Sequence, residues 1–238
     1  SESRFQIDAK DIIAVASGKG GVGKSTFAVN LAVAMSELGK RVGILDADIY
    51  GPSVPRMMGI SGKPEVSQNK KLIPLENYGI KCMSIGFLVS EETPTIWRGP
   101  MIMKALEQMF NGVEWGQLDY LIIDLPPGTG DAQITLAQSS KLSGSIIIST
   151  PQDVALTDAR KGINMFKKVN VPILGLVENM SYFICDNCNE KHFIFSNNGA
   201  KKEAKKFQIP FLGSLPIDKE LRIQSDEGRP ACRDKPDG

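Results

Sequence analysis

The sequence predicts an α/β fold, in which a mostly parallel β-sheet carries helices on both faces. The first observation is that short apolar runs, typical of buried parallel strands, alternate with segments of helical periodicity. The apolar runs lie at residues 12–16, 41–45, 81–85, 118–124, 145–149, 173–177 and 211–213, and the helical patterns at 27–38, 101–110, 154–168 and 198–207. The second observation is that 238 residues, 42% of them hydrophobic, suffice for one sizeable core.

A glycine-rich loop joins the first apolar run to the first helical pattern. Its nine residues are Gly18, Lys19, Gly20, Gly21, Val22, Gly23, Lys24, Ser25 and Thr26. They match G-x-x-x-x-G-K-[ST], the phosphate-binding loop, in the strand-to-helix context that this loop requires. Glycines permit positive φ and let backbone N–H groups approach phosphate oxygens closely. We expect Lys24 to reach the β- and γ-phosphates, Ser25 to offer its hydroxyl to Mg²⁺, and Thr26 to donate to the α-phosphate side.

The same glycines also fit G-x-G-x-x-G, the dinucleotide-binding pattern, with an acidic residue after the second strand at Asp46 or Asp48. That pattern leaves Lys24 and Ser25 unexplained, because a dinucleotide pyrophosphate needs no Mg²⁺ ligand. A nucleoside triphosphate site needs a carboxylate on a later strand, and Asp124 ends the apolar run at residues 118–124 as a Walker B aspartate does. We therefore expect a fold of the P-loop NTPase type.

Further acidic residues follow the ends of two predicted strands. Asp48 is the stronger candidate for chemistry. For Asp46, a structural role as a strand-end cap or as a contact to the loop is as consistent with the sequence as a chemical role. Residues 125–131 form a turn rich in Pro and Gly beside the expected γ-phosphate. Such a turn can sense hydrolysis, because loss of the γ-phosphate removes its contacts. Asp131, at the end of this turn, is alternatively an ordinary helix N-cap.

Several methionines are expected in the core. Met57 and Met58 follow the Asp48 loop, where a soft contact surface is the alternative. A stripe at helical spacing is expected to be buried and consists of Met101, Ile102, Ala105, Leu106, Met109 and Phe110.

Charge and hydropathy exclude several classes of partner. The formal net charge is +1 and no block of five or six like charges occurs, so we expect neither nucleic acid nor membrane as a partner. Lys201, Lys202, Lys205 and Lys206 are expected to form a solvated helix face. No run of eighteen apolar residues and no signal segment is present, which predicts a cytoplasmic protein, or one of the mitochondrial matrix in a eukaryote. We expect one domain over residues 11–238, with residues 1–10 as the stump of a longer N-terminal region.

The four cysteines include one C-x₂-C pair, Cys185 and Cys188. The pair alone is ambiguous, because a zinc half-site, a redox dithiol and an iron–sulfur half-site all use two thiolates at this spacing. His192 extends the pattern to C-x₂-C-x₃-H, close to a zinc knuckle, but structural zinc requires a fourth ligand. Cys82 and Cys232 are expected to be isolated thiols, with Cys232 as a candidate extra ligand.

Together these motifs resemble the deviant-Walker P-loop ATPases, the group of MinD, ParA, ArsA and the nitrogenase iron protein. The group's characteristic residue is Lys19, a second lysine near the start of the loop. Within the group the chain is similar to the Mrp (ApbC/Nbp-type) iron–sulfur carrier ATPases. The matching segments are SGKGGVGKST at 17–26, LDADIYGPS at 45–53, WRGPM at 97–101, IIDLPPGTGD at 122–131, STPQ at 149–152 and VENMSYFICDNC at 177–188.

The resemblance implies a homodimer that sandwiches ATP, with Lys19 of one subunit reaching the phosphates bound to the other. It also implies that Asp48 orients or activates the attacking water. Asp124 and Asp131 would act at the Mg²⁺ site and in the switch, which is the turn that senses loss of the γ-phosphate. Asn179 would contact adenine. ATP is preferred over GTP because the NKxD guanine motif is absent.

The resemblance further implies a labile [4Fe–4S] cluster that the protein hands to apo iron–sulfur proteins. Such a cluster needs four cysteines, so a two-fold dimer that joins two C-x₂-C pairs would complete the set. The chain departs from the family pattern, which usually has proline after the first cysteine and glycine after the second. Asp186 and Asn189 occupy those positions, and the downstream turn is formed by residues 196–199.

Three alternative functions make different predictions. A positioning ATPase of the MinD or ParA kind needs a basic amphipathic tail or a basic surface, and neither is visible. A nucleotide or metabolite kinase predicts turnover by a monomer and gives Lys19 no role. A P-loop ATPase with a structural zinc knuckle would use His192 as a ligand.

Overall fold

The computed structural model describes residues 7–88, 99–185, 187–195 and 198–234. Trp97 and Arg98 of the WRGPM segment, Asp186 and residues 196 and 197 lie outside the described residues. The strands are β1 Ala9–Ser17, β2 Val42–Asp46, β3 Leu75–Asn77, β4 Ile80–Ser84, β5 Leu118–Asp124, β6 Gly144–Ser149, β7 Ile173–Ile184, β8 Lys191–His192 and β9 Phe211–Ile217. The helices are α1 Lys24–Glu37, α2 Val54–Met57, α3 Gly99–Asn111, α4 Asp131–Ser139, α5 Asp153–Lys168, α6 Gly199–Phe207, α7 Lys219–Asp226 and α8 Ala231–Asp234, with a 3₁₀ turn at Ile85–Leu88.

Within the described residues the strands form one nine-stranded sheet in the order β3-β4-β2-β5-β1-β6-β7-β8, with β9 paired to β7. Most neighbouring strands are parallel, and the antiparallel pairs are β3 with β4 and β7 with β8. The α/β class with a mostly parallel sheet is therefore confirmed. Because β1 begins at Ala9, the sheet includes the last two residues of the N-terminal segment expected over residues 1–10.

Both faces of the sheet are largely buried along the central strands β1, β2, β5 and β6, as expected for parallel strands covered by helices. Along β1, Ile12, Ala14 and Ala16 pack into one apolar cluster, whereas Ile13 and Val15 pack into the other. The first cluster lies under α3, α4, α5 and α6, and the second under α1 and α2. This alternation follows from the two-residue period of a strand, which places successive side chains on opposite faces of the sheet.

Three sequence-based expectations about these elements were wrong in detail. The strand predicted at residues 173–177 continues to Ile184, because its second half pairs with β8 and β9. The stripe on α3 is buried except for Met101, whose exposed fraction is 47%. Met58 is fully buried as expected, but Met57 is half-buried and reaches the cavity described below.

The sheet brings three strand ends together. β5 lies between β1 and β2, and Asp124 at its end is in register with Asp46 on β2 and Val15 on β1. Parallel strands present their carboxyl ends at one edge, where α/β proteins bind ligands. The loop before α1 begins at this same edge, so sequence-distant acidic residues meet the phosphate-loop lysine there.

Candidate functional site

The glycine-rich loop has the backbone that its sequence predicts at two positions. Gly21 and Gly23 have φ of 77° and 85°, in the left-handed region that favours glycine. A Cβ added at Gly23 would lie 2.2 Å from Nδ2 of Asn179, so the close approach of β7 also requires glycine there. Asn179 donates from Nδ2 to the carbonyl oxygen of Val22 at 2.9 Å and thereby joins β7 to the loop.

Two other glycines serve different purposes. A Cβ at Gly18 would lie 2.2 Å from the backbone of Asp158, so Gly18 permits contact with α5 rather than a positive φ. Gly20 has open space around its Cβ position and leaves the centre of the loop accessible. Lys19 follows Gly18 with a half-buried side chain, and its carbonyl oxygen accepts a hydrogen bond from Ser17 Oγ at 2.8 Å.

Lys24 is held between two strand ends. Its Nζ lies 2.6 Å from Oδ1 of Asp124 and 3.5 Å from Oδ2 of Asp48, and its exposed fraction is only 6%. Ser25 donates from Oγ to the other Asp124 oxygen at 2.5 Å. Burial raises the pKa of Asp124, while the Lys24 amine and the Ser25 hydroxyl favour its ionised form. The cluster thus unites the predicted Lys24, Ser25 and Asp124 in one hydrogen-bonded unit.

Asp46 is a structural carboxylate in this arrangement. It is fully buried, and it accepts hydrogen bonds from Asp48 N, Val54 N and Ser84 Oγ, each at 3.1 Å. These contacts tie β2 to the start of α2 and to β4, as the strand-end alternative proposed. Burial, with the nearby charge of Asp124, raises the pKa of Asp46 to about 7.

We expect Asp46 to make the stability of the nucleotide-free protein depend on pH. Because its pKa rises from 3.8 to about 7 on folding, the folded state holds a proton that the unfolded chain releases in this range. The contribution is complete below the unfolded pKa and is lost as pH rises through about 7, with a slope of up to about 1.4 kcal/mol per pH unit. Urea unfolding at several pH values should show this slope in the wild type and a weaker slope in Asp46→Asn. Equal slopes in the two proteins would contradict the assignment.

Asp48 lies beside a cavity of about 190 Å³ at the loop. Its lining includes Gly20, Gly21, Gly23, Lys24, Ser25 and Thr26 of the loop, together with Asp48, Met57 and Pro127. Asp48 is mostly buried, and its Oδ1 accepts a hydrogen bond from Tyr50 N at 3.1 Å. A larger cavity of about 490 Å³ lies near Asp8 and Trp115, at the opposite edge of the sheet, and contains none of the predicted site residues.

The turn after β5 is anchored on both sides. Gly128 donates its N–H to the Ser17 carbonyl at 2.8 Å, and Gln133 donates from Nε2 to the Pro127 carbonyl at 2.6 Å. The Gln133 anchor was not recognised in the sequence, where a polar residue in a helical segment gave no signal. Asp131 is the first residue of α4 and Gly130 occupies the N-cap position, so the N-cap alternative for Asp131 was wrong.

Glu178 is a second residue that sequence analysis missed. It is fully buried on β7, and it accepts hydrogen bonds from Ser181 Oγ at 2.6 Å and from Ala200 N at 2.7 Å. The bond to Ala200 fixes the start of α6 on β7. An isolated glutamate within an apolar strand is the signal that could have revealed it, because a buried carboxylate requires donors.

The cysteine pair lies at the far end of β7. Cys185, Cys188 and His192 each offer one possible ligand atom, and these three atoms lie within 4.8 Å of one another. Cys188 and His192 are exposed and Cys185 is half-buried. Cys82 and Cys232 belong to no such group among the described residues, and burial raises the pKa of both thiols, which disfavours the thiolate.

The turn that holds the pair explains one departure from the family pattern. Asn189 has φ of 58°, a left-handed conformation that glycine adopts readily and that asparagine tolerates best among other residues. Its N–H donates to the Cys185 carbonyl at 2.8 Å, and Cys185 N donates to the Glu190 carbonyl at 3.0 Å. Asparagine therefore preserves the tight turn where the family usually has glycine.

Among the described residues, no helix combines the length and the apolar character needed to cross a membrane.

The fold and the loop define the class of protein: the chain is a P-loop NTPase. A family model described as ParA, NUBPL iron-transfer P-loop NTPase, matches residues 8–238, and the chain belongs to this family. It is 60% identical over 228 residues to an Arabidopsis thaliana protein named iron-sulfur protein required for NADH dehydrogenase, mitochondrial, covering 95% of this chain and 73% of the relative.

Two further similarities agree with the family. The chain is 54% identical to an iron-sulfur cluster carrier protein of Aquifex aeolicus, covering 96% of this chain but only 63% of that relative. A solved structure of a nucleotide-binding protein from Archaeoglobus fulgidus, in complex with ADP and with Co found in it, superposes with a TM-score of 0.83. The two sequences are 44% identical, and the match covers 93% of this chain and 88% of that one.

Proposed function

We propose that the chain binds and hydrolyses ATP, assembles a [4Fe–4S] cluster across a homodimer and transfers the cluster to apo iron–sulfur proteins. The observation that carries the proposal is that one strand serves both sites. β7 contacts the phosphate loop through Asn179 and ends at the thiol pair Cys185 and Cys188. Relatives named as iron–sulfur carriers and a relative in complex with ADP support both halves of the proposal.

The nucleotide half uses groups that already lie together. Ser25 and Asp124 share a 2.5 Å hydrogen bond, so their oxygens are close enough to serve one Mg²⁺ ion directly or through its water shell. When bound, Mg²⁺ would neutralise charge on the phosphate oxygens. Lys24 would then exchange part of its contact with Asp124 for the β- and γ-phosphates. Asn179, which borders the loop, would contact adenine.

Asp48 would act on the attacking water. Its carboxylate lines the cavity beside Lys24, whereas Asp46 is engaged by three donors and cannot turn toward the cavity without losing them. Lys19 would act on the partner subunit's nucleotide, and Asp131 would move with the turn after β5 when the γ-phosphate leaves.

We expect Asp48→Asn to bind ATP and to lose about 10²–10⁴-fold in turnover, because an amide keeps the shape of the carboxylate but accepts a proton poorly. ATP hydrolysis and nucleotide binding should be measured on the same preparation. Asp226→Asn is a suitable control, because Asp226 is an exposed carboxylate on α7 whose ion pair with exposed Arg56 lies on the surface. Normal turnover in Asp48→Asn would move the role to another residue.

The cluster is cargo of this protein, and the donor set fits it. Two thiols per chain lie at the surface, so two chains can present four thiolates to one cubane only if the pairs meet at a dimer axis. Surface exposure also suits transfer, since a recipient's thiolates must reach the cluster. By this proposal the protein works in the cytoplasm or the mitochondrial matrix and needs neither nucleic acid nor membrane.

Anaerobic reconstitution tests the proposal. With iron and sulfide the protein should take up about four of each per dimer, and the iron-loaded fraction should sediment as a dimer. Incubation with an apo iron–sulfur protein should then move the iron and sulfide to it. If the protein holds no sulfide after reconstitution, or holds iron only as monomers, the carrier function is wrong and a P-loop ATPase with a zinc knuckle is supported.

A further inference from the structure

We infer that Cys185, Cys188 and His192 form a three-donor site within one chain, which binds a single thiophilic divalent metal ion and leaves one coordination position open. The ion class is that of Zn²⁺, Fe²⁺ and Co²⁺, which accept mixed thiolate and imidazole ligands in tetrahedral geometry. The ligand atoms of the three residues already lie within 4.8 Å of one another, so small side-chain rotations bring them onto one ion.

The hairpin between β7 and β8 explains why His192 joins the cysteines. Phe183 on β7 is directly opposite His192 on β8, so their side chains lie on the same face of the hairpin. Cys185 follows Phe183 by two residues, which places it on this face as well. The Asn189 N–H donates a hydrogen bond to the Cys185 carbonyl, and the resulting turn brings Cys188 close to Cys185. The sequence spacing alone could not establish this register.

The charged side chains of Lys191 and Glu190 are not part of the group of metal-ligating atoms. Lys191 lies on the opposite face, paired with Ile184, and its Nζ lies 4.5 Å from the centre of the Tyr182 ring. Glu190 contributes its carbonyl oxygen to the turn and is exposed, but its carboxylate is not part of the three-donor group. Among the described residues, two thiols and one imidazole therefore converge on a face of the hairpin that Lys191 does not share.

An open fourth position has a chemical consequence. Structural zinc sites are closed by four protein ligands, whereas a site with three protein ligands keeps a position for water or an external thiolate. A metal held in this way can be exchanged with another thiolate-bearing molecule. The inference rests on the same cysteines as the proposed cluster site, but it requires neither sulfide, nucleotide nor a dimer.

Titration with Co²⁺ alone tests the site, because tetrahedral cobalt bound to thiolates absorbs visible light. The wild type should bind one Co²⁺ per chain as a monomer, with thiolate charge-transfer and tetrahedral bands. His192→Ala should weaken Co²⁺ binding by at least about tenfold, since even residues that only orient a metal ligand contribute this much. His192→Cys should restore affinity with a stronger charge-transfer band, and Glu190→Gln should behave as the wild type.

The outcomes separate this inference from the proposed function. If His192→Ala matches Glu190→Gln in affinity and spectrum, or if Co²⁺ binds only once per two chains, the three-donor site is wrong, whatever happens with iron and sulfide. If Co²⁺ binding depends on His192 but the wild type takes up no iron with sulfide, the carrier function fails and the metal site stands. ATP binding by each variant confirms that the chain has folded.

Discussion

Lys19→Ala should lower the rate of ATP hydrolysis by about 10³–10⁵-fold while leaving ATP binding nearly intact, the range found when a cationic finger acting on a transferred phosphoryl group is lost. The expectation follows from the positions of the two loop lysines. Lys24 is buried against Asp124 and Asp48 within its own chain, so it serves the nucleotide of that chain. Lys19 forms no ion pair with any described residue, and its half-buried side chain remains available to a partner subunit.

A mixture of two inactive proteins tests whether Lys19 acts in trans. Lys24→Ala and Lys19→Ala homodimers should each be nearly inactive. In the heterodimer, the Lys19→Ala subunit keeps its own Lys24 and receives Lys19 from its partner, so one of the two sites should regain activity. Steady-state hydrolysis should therefore rise on mixing, in proportion to the heterodimer fraction measured with differently tagged subunits.

The controls make the result decisive. Lys40→Ala removes an exposed lysine just beyond α1 and should leave both hydrolysis and mixing behaviour unchanged. If tagged heterodimers form and hydrolysis does not rise, Lys19 does not act across the dimer. If Lys19→Ala alone hydrolyses ATP normally, the residue has no part in phosphoryl transfer.

The strands near the phosphate loop could be predicted because their signals are local. The run at residues 118–124 matches β5, Leu118–Asp124, since burial on both faces demands continuous apolar sequence. The second half of β7 could not be predicted in this way. From Glu178 onward the strand mixes polar, aromatic and apolar residues, and it exists because β8 and β9, which come later in the chain, pair with it.

The residues of the candidate site show the same difference between local sequence signals and long-range contacts. Spacing identified Lys24 and Ser25 within the loop, but their contact with Asp124 joins residues about one hundred positions apart and depends on strand order. The distinction between Asp46 and Asp48 required the positions of Val54 and Ser84, which no local pattern supplies. Tertiary geometry therefore decided which of two adjacent carboxylates faces the cavity.

The cysteine spacing showed that a metal site could exist, but not which donors would converge. C-x₂-C was compatible with a zinc, redox or cluster site, and the C-x₂-C-x₃-H spacing made His192 a candidate ligand only under the zinc alternative. The antiparallel register of β7 and β8 places His192 with both cysteines, and the left-handed Asn189 closes the turn between them. Both features arise from pairing and backbone conformation, which a residue count along the chain does not reveal.

Removal of either Cys185 or Cys188 should abolish assembly of the iron–sulfur cluster. A dimer of Cys185→Ala or Cys188→Ala chains retains only two thiolates where a cubane needs four, so the yield should fall from about four irons per dimer to background. ATP binding should persist in both variants, because the phosphate loop is built from β1, α1 and β5, and β7 contacts it through Asn179 rather than through the thiols.

Cys232→Ala is the matched control for this prediction. Cys232 is half-buried against α1, where its N–H donates to the Asn30 side chain, and it belongs to no metal-ligating group among the described residues. Its removal should change neither iron nor sulfide content.

Iron and sulfide should be assayed together with nucleotide binding on each anaerobically reconstituted variant. Retention of about four irons and four sulfides by Cys188→Ala would show that the cluster uses other ligands, whereas loss of cluster and ATP binding together would indicate general unfolding. Selective loss of the cluster is the result that ties these two thiols, through β7, to a carrier function.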